Sequence, residues 1–76
     1  MNATQMLELM NRVPFQPFEI HLNNSTRMKV DHPYQIATQP NAAACTVYAD
    51  DDVMRIVAYR NIAEVITSEP QPVPPG

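Results

Sequence analysis

Two rhythms of hydrophobic and polar residues run along this chain, and the change from one to the other marks its elements. Met6, Leu9, Met10 and Val13 recur at i, i+3, i+4 and i+7, with Leu7 beside them. That is the apolar stripe of a surface helix. Gln5, Glu8, Asn11 and Arg12 fall on its wetter side. Asn2 is placed to cap the helix, and Gln5, three residues on, completes a capping box. The spacing predicts a helix over residues 2–12. Pro14 ends it, because the residue before a proline is pushed out of the α region. So short a helix is not stable by itself in water, so it must lie on something.

From Phe18 the period falls to two. Phe18, Ile20 and Leu22 alternate with Glu19 and His21, the pattern of a strand with one face on a core. Asn23-Asn24-Ser25-Thr26 is turn chemistry, since asparagine tolerates the left-handed region. Arg27 to Asp31 alternates again, with Met28 and Val30 inward. A hairpin then brings Glu19 toward Lys29, or His21 toward Arg27, on the outer face. His32-Pro33 interrupts the ladder, because proline has no N–H to donate. Tyr34 to Thr38 resumes as a short strand on a new heading, and Gln39-Pro40-Asn41 is a loop. Residues 43–49 form another strand, with Cys45 and Val47 on one face and Thr46 and Tyr48 on the other. Asp50-Asp51-Asp52 is a turn. In Val53–Tyr59 both faces carry apolar residues, which predicts a central strand or one whose second face is covered. Ile62 to Thr67 closes the fold as a last strand, or as one helical turn leading into one. Pairs Phe15 and Phe18 are placed to seat the helix on the sheet.

Length and composition narrow this picture. Seventy-six residues make one small domain over 1–68, followed by a Pro-rich tail, 69–76, in which four of eight residues are proline. Such a tail is expected to be extended and uncoupled. A domain of this size has a thin core and gains from self-association. Eight carboxylates against five Lys and Arg give a net charge of -3. Phosphate neutralisation supplies much of the affinity of nucleic-acid binders, so this balance disfavours RNA or DNA as a partner. A single cysteine, Cys45, allows no intrachain disulfide. The N-terminus has neither the basic start nor the apolar run of a signal peptide, and no segment approaches a membrane span. The expected location is the cytoplasm, with no membrane partner.

The candidate chemistry is sparse. The aspartate run lacks the glycine and the distal glutamate of a calcium loop, and reads as a solvated turn. His21, His32 and Cys45 are metal-ligand types, but their spacing matches no compact zinc pattern. No nucleophile stands beside a base, and the only glycine is Gly76, which removes every glycine-dependent phosphate loop. We therefore expect no metal, no cofactor, no small-molecule ligand and no catalytic residue. Tyr48, Arg55, Tyr59 and Arg60 are placed to share an outer face of neighbouring strands. Aromatics interleaved with arginine serve as protein anchors or stack on bases. The alternative for the same residues is a second small cluster covered by the helix.

Two resemblances attach to these residues. Pro14-Phe15, Pro17-Phe18, Ile20, Leu22, Val30, His32-Pro33 and Ile62/Val65/Ile66 follow in the order seen in a group of short uncharacterised bacterial proteins. These share an N-terminal helix, a P-F-x-P-F-x-I-x-L segment and a V-x-H-P strand end. The group usually has Asp-Gly or Asn-Gly at the turn, where this chain has Asn24-Ser25. Secondly, a leading helix, a meander of short strands and Tyr59-Arg60-Asn61-Ile62 before the last strand resemble Sm-like proteins of the Hfq type. Asn61 stands where that family has a histidine. This resemblance implies a strongly bent antiparallel sheet or barrel, assembly into rings, and RNA contact near Tyr59, Arg60 and Asn61.

The expected architecture is α+β: an N-terminal helix packed on a four- to five-stranded antiparallel sheet, which can close as a small Sm- or SH3-like barrel. The expected function is a non-catalytic protein-interaction or self-assembly module, a homo-oligomer or the binder of another protein. The alternatives are an Sm-like RNA-binding oligomer and a small enzyme using His21 or His32.

Overall fold

A computed structural model describes residues 1–49 and 53–67. The Asp50-Asp51-Asp52 turn and the Pro-rich tail lie outside them. Among the described residues one helix, α1 (Ala3–Met10), leads into six strands: β1 (Phe18–Leu22), β2 (Arg27–Val30), β3 (Ile36–Ala37), β4 (Ala44–Tyr48), β5 (Met54–Ala58) and β6 (Ile62–Thr67). Two 3-10 turns, Pro33–Gln35 and Tyr59–Asn61, precede β3 and β6.

The capping box forms as its residues imply. Gln5 N donates to Asn2 Oδ1 at 2.9 Å, and Asn2 N donates to Gln5 Oε1 at 3.0 Å. The helix stops at Met10, short of the expected Arg12, with Asn11 as its C-cap. Pro14 has no N–H to offer the Met10 carbonyl, so one further turn would leave that carbonyl open. Val13, expected on the apolar stripe, is consequently 96% exposed. Ala3 and Met6 are fully inside, and Leu9 and Met10 pack against the core from its edge. Phe15 and Phe18 meet at 5.9 Å between ring centroids, tilted by 55°.

The strands divide into two three-stranded antiparallel sheets, β2-β1-β6 and β3-β4-β5, in place of one sheet of four or five strands. No ladder joins the two among the described residues, and closure into a barrel is not seen. The β1–β2 register sets Glu19 opposite Lys29 and His21 opposite Arg27. A one-residue slip would exchange the two faces, so the buried Phe18, Ile20, Met28 and Val30 hold this register. β6 pairs along the other side of β1, with a bulge where His21 opposes Glu64 and Leu22 opposes Ile62.

The break between the sheets falls at His32-Pro33. Strand pairing resumes only at Ile36–Ala37, because Pro33 opens a 3-10 turn for which its fixed φ is already suited. Gln35 locks this corner. Its Oε1 accepts from the N–H groups of Asp31 (2.7 Å) and His32 (2.8 Å), and its Nε2 donates to the Tyr48 carbonyl on β4 (3.0 Å). The His32 and Tyr34 rings stack alongside at 4.9 Å. Residues of both sheets and of the helix then share one core, built on Met6, Phe18, Ile20, Val30, Cys45 and Val47. Each such side chain contributes roughly 1.5–3 kcal/mol by leaving water.

Candidate functional site

Opposed residues on antiparallel strands share a face, so the β4–β5 register sorts the later strands. Cys45 opposes Val57 and Val47 opposes Arg55, on the core side. Ala44 opposes Ala58, Thr46 opposes Ile56 and Tyr48 opposes Met54, on the other side, where Ala37 of β3 joins Thr46. This outer face is apolar and open: Ile56 is 73% exposed, Met54 54% and Tyr48 48%. Among the described residues β5 is also the edge of its sheet, not a central strand, the first of the two placements that its two-faced pattern predicts. Its second face is uncovered among the described residues.

The five residues expected to form a surface are therefore divided. Tyr48 does stand on the outer face. Arg55 has the opposite parity and is half-buried. Tyr59 does not reach a surface at all: it is 5% exposed. It continues the parity of Val57 into the core. Its hydroxyl donates to Thr38 Oγ1, which donates in turn to the Ala44 carbonyl at 3.4 Å. Arg60 and Asn61 are exposed on the second 3-10 turn. Asn23 ties that turn to the β1–β2 loop, its N–H donating to the Asn61 carbonyl at 2.9 Å and its Nδ2 to the Arg60 carbonyl at 3.4 Å. Arg55 and Asn61 share the lining of a cleft of about 600 Å³ with Asn23, Asn24 and the β5 residues Ile56 to Ala58. The cleft thus lies between the β5 edge and the β1–β2 turn. Sequence reading missed Met54 and Ile56 as surface residues. Both faces of β5 are apolar in the sequence, and only the strand order shows that one of them is open.

The groups considered for metal binding or catalysis take other positions. Cys45 is a buried free thiol. Desolvation pushes its pKa up, partly offset by a hydrogen bond with Tyr59. Desolvation likewise raises the Tyr59 phenol, against the lowering effect of its bond to Thr38. His21 lies on the outer face of the first sheet. Its Nε2 is 2.6 Å from Glu19 Oε1 and its Nδ1 is 3.3 Å from Glu64 Oε1. Different nitrogens meet the two carboxylates, so the three side chains do not converge on one point. Among the described residues no group of three or more His, Cys, Asp or Glu is arranged to hold a metal ion. No helix among them is long and apolar enough to cross a membrane.

No protein-family model, curated protein or solved structure matches this chain.

Proposed function

We propose that the protein is a non-catalytic interaction module that self-associates or binds another protein through the outer face of the β3-β4-β5 sheet. One observation carries this reading. Met54 and Ile56 on the edge strand β5, with Tyr48 opposite Met54 on β4, form an exposed apolar patch, and at such an edge natural proteins usually place charge, proline or a covering element. Loss of that apolar area to a partner is favourable by about 25 cal/mol per Å². The arrangement of strands supports an open Sm- or SH3-like topology behind this surface. β6 returns to pair with β1 after a 3-10 turn, and β2 passes into β3 through a sharp corner.

Light scattering across a dilution series tests the reading. A mass that rises with concentration, and that Ile56→Lys returns to the monomer with an unchanged circular dichroism spectrum, is the expected result. A strict monomer at high concentration that also recovers no partner in a pull-down overturns it. A ring that binds single-stranded RNA with an affinity that falls with salt would favour the Sm-like RNA alternative.

A further inference from the structure

The β4–β5 ladder shows which backbone groups of β5 remain open. Tyr59 N donates to the Ala43 carbonyl at 3.0 Å, extending the register in which Cys45 opposes Val57 and Val47 opposes Arg55. In an antiparallel ladder, pairs that exchange hydrogen bonds alternate with pairs that do not. Tyr59, Val57 and Arg55 therefore point their N–H and C=O groups at β4, and Met54, Ile56 and Ala58 point theirs away from it. Those groups face the open edge, which no other strand covers among the described residues. A cleft of about 600 Å³ runs alongside this edge, lined by Arg55 to Ala58.

We propose that β5 pairs antiparallel with β5 of a second copy of this chain, about a two-fold axis through Ile56. The inference rests on the interaction-module reading and names its partner and its register. Centring on Ile56 sets Met54 opposite Ala58 of the other copy, Ile56 opposite Ile56, and Arg55 opposite Val57. Every β5 residue is then paired, the outer-face row is apolar against apolar, and no charge meets its like. Centring on Arg55 would put two guanidinium groups face to face in the closely spaced kind of pair, which is unfavourable. Centring on Val57 would run Met54 past the strand end, against the 3-10 turn at Arg60. A two-fold pair is isologous and closes on itself, giving a dimer and not a fibre or ring.

Cysteine cross-linking tests the register. In the proposed pair the two Ile56 Cα atoms lie about 5.5 Å apart, inside the range a disulfide spans. The two Met54 Cα atoms are four strand steps apart, roughly 14 Å. Mild oxidation should convert Ile56→Cys to a covalent dimer at least about tenfold faster than Met54→Cys, since the latter separation cannot be bridged. Wild-type protein, whose one thiol is the buried Cys45, should stay uncrosslinked. Because both substituted positions are exposed, circular dichroism should show each variant folded. Hydrogen exchange on wild-type protein gives a second measure: the Ile56 and Ala58 amides should gain protection as concentration rises. Equal or faster linkage of Met54→Cys overturns the proposal. So does association by light scattering with neither variant linking, which leaves the interaction reading standing. A wild-type monomer at every concentration also overturns it, and the interaction reading then depends on the pull-down.

Discussion

Gln35 is the side chain on which the corner between the two sheets depends. Gln35→Ala would open two N–H groups on the β2 side and one carbonyl on β4. The three bonds are not equal. The one to the Asp31 amide is part-buried, and its loss costs about 1 kcal/mol or more, because water cannot fully replace the acceptor. The bonds to His32 and Tyr48 lie at exposed positions, where water does replace them, so each adds only a few tenths of a kcal/mol. The sum is about 1–2 kcal/mol. For a domain of this size each kcal/mol lowers Tm by roughly 4–8 °C, so a fall of about 5–15 °C is expected by thermal circular dichroism. Gln35→Glu separates the two halves of the clamp. A carboxylate still accepts from both amides but cannot donate to the Tyr48 carbonyl. Its amide protection at Asp31 and His32 should persist, and the β4 end should loosen. Gln35→Met keeps the stem and loses the head, and should resemble Gln35→Ala. A Tm for Gln35→Ala within a degree of wild type, with unchanged exchange at Asp31 and His32, would refute the clamp.

Two further outcomes follow from the core. Phe18→Ala removes a fully buried ring that packs against Phe15 on the central strand of the first sheet. It should cost about 3–5 kcal/mol, enough to leave a small domain largely unfolded at 25 °C, which urea titration would show. Cys45 and Tyr59 set a limit on the alkaline side. Both hold their protons more tightly in the folded chain than at their ordinary values of 9.0 and 10.0, chiefly through desolvation. The unfolded chain ionises first as pH rises, so it binds fewer protons and stability falls. The urea midpoint should be flat through neutral pH as far as these two groups go, and drop from about pH 9 upward. Tyr59→Phe should lessen the slope, and an equal slope in both proteins would refute the assignment.

Where one alternation was unambiguous, the structure was legible in the sequence. The capping box, the limits of β1 and the inward pair Cys45 and Val47 all follow from residue type and period. The hairpin register was not legible, because Phe18, Ile20, Met28 and Val30 fix which faces are buried, and a two-residue slip would bury the same faces. Val13 was misplaced because helical spacing was carried past the point where Pro14 takes away a donor. Tyr59 was read by residue type, as an exposed aromatic, and both faces of its strand are apolar, so parity alone could not place it; the structure puts it inside with Val57. The division into two sheets was not legible, because Val53–Tyr59 is apolar on both faces and alternation then cannot separate a central strand from an edge. The outer face centred on Ile56 became visible only with the strand order.

Two tight positions carry a further consequence. Ser25 and Asn41 sit at φ 71° and 65°, left-handed backbone, in a chain whose only glycine is Gly76. Side chains with a Cβ occupy that region at a cost of order 1 kcal/mol, less for asparagine. Both sites lie in loops, away from the two sheet faces and the core. The chain therefore has evolutionary headroom at its bends. Ser25→Gly is the cheaper test, and it should raise thermal resistance without altering either sheet face. A lineage that needed a costly change on the β5 edge has a compensating step available elsewhere in the molecule.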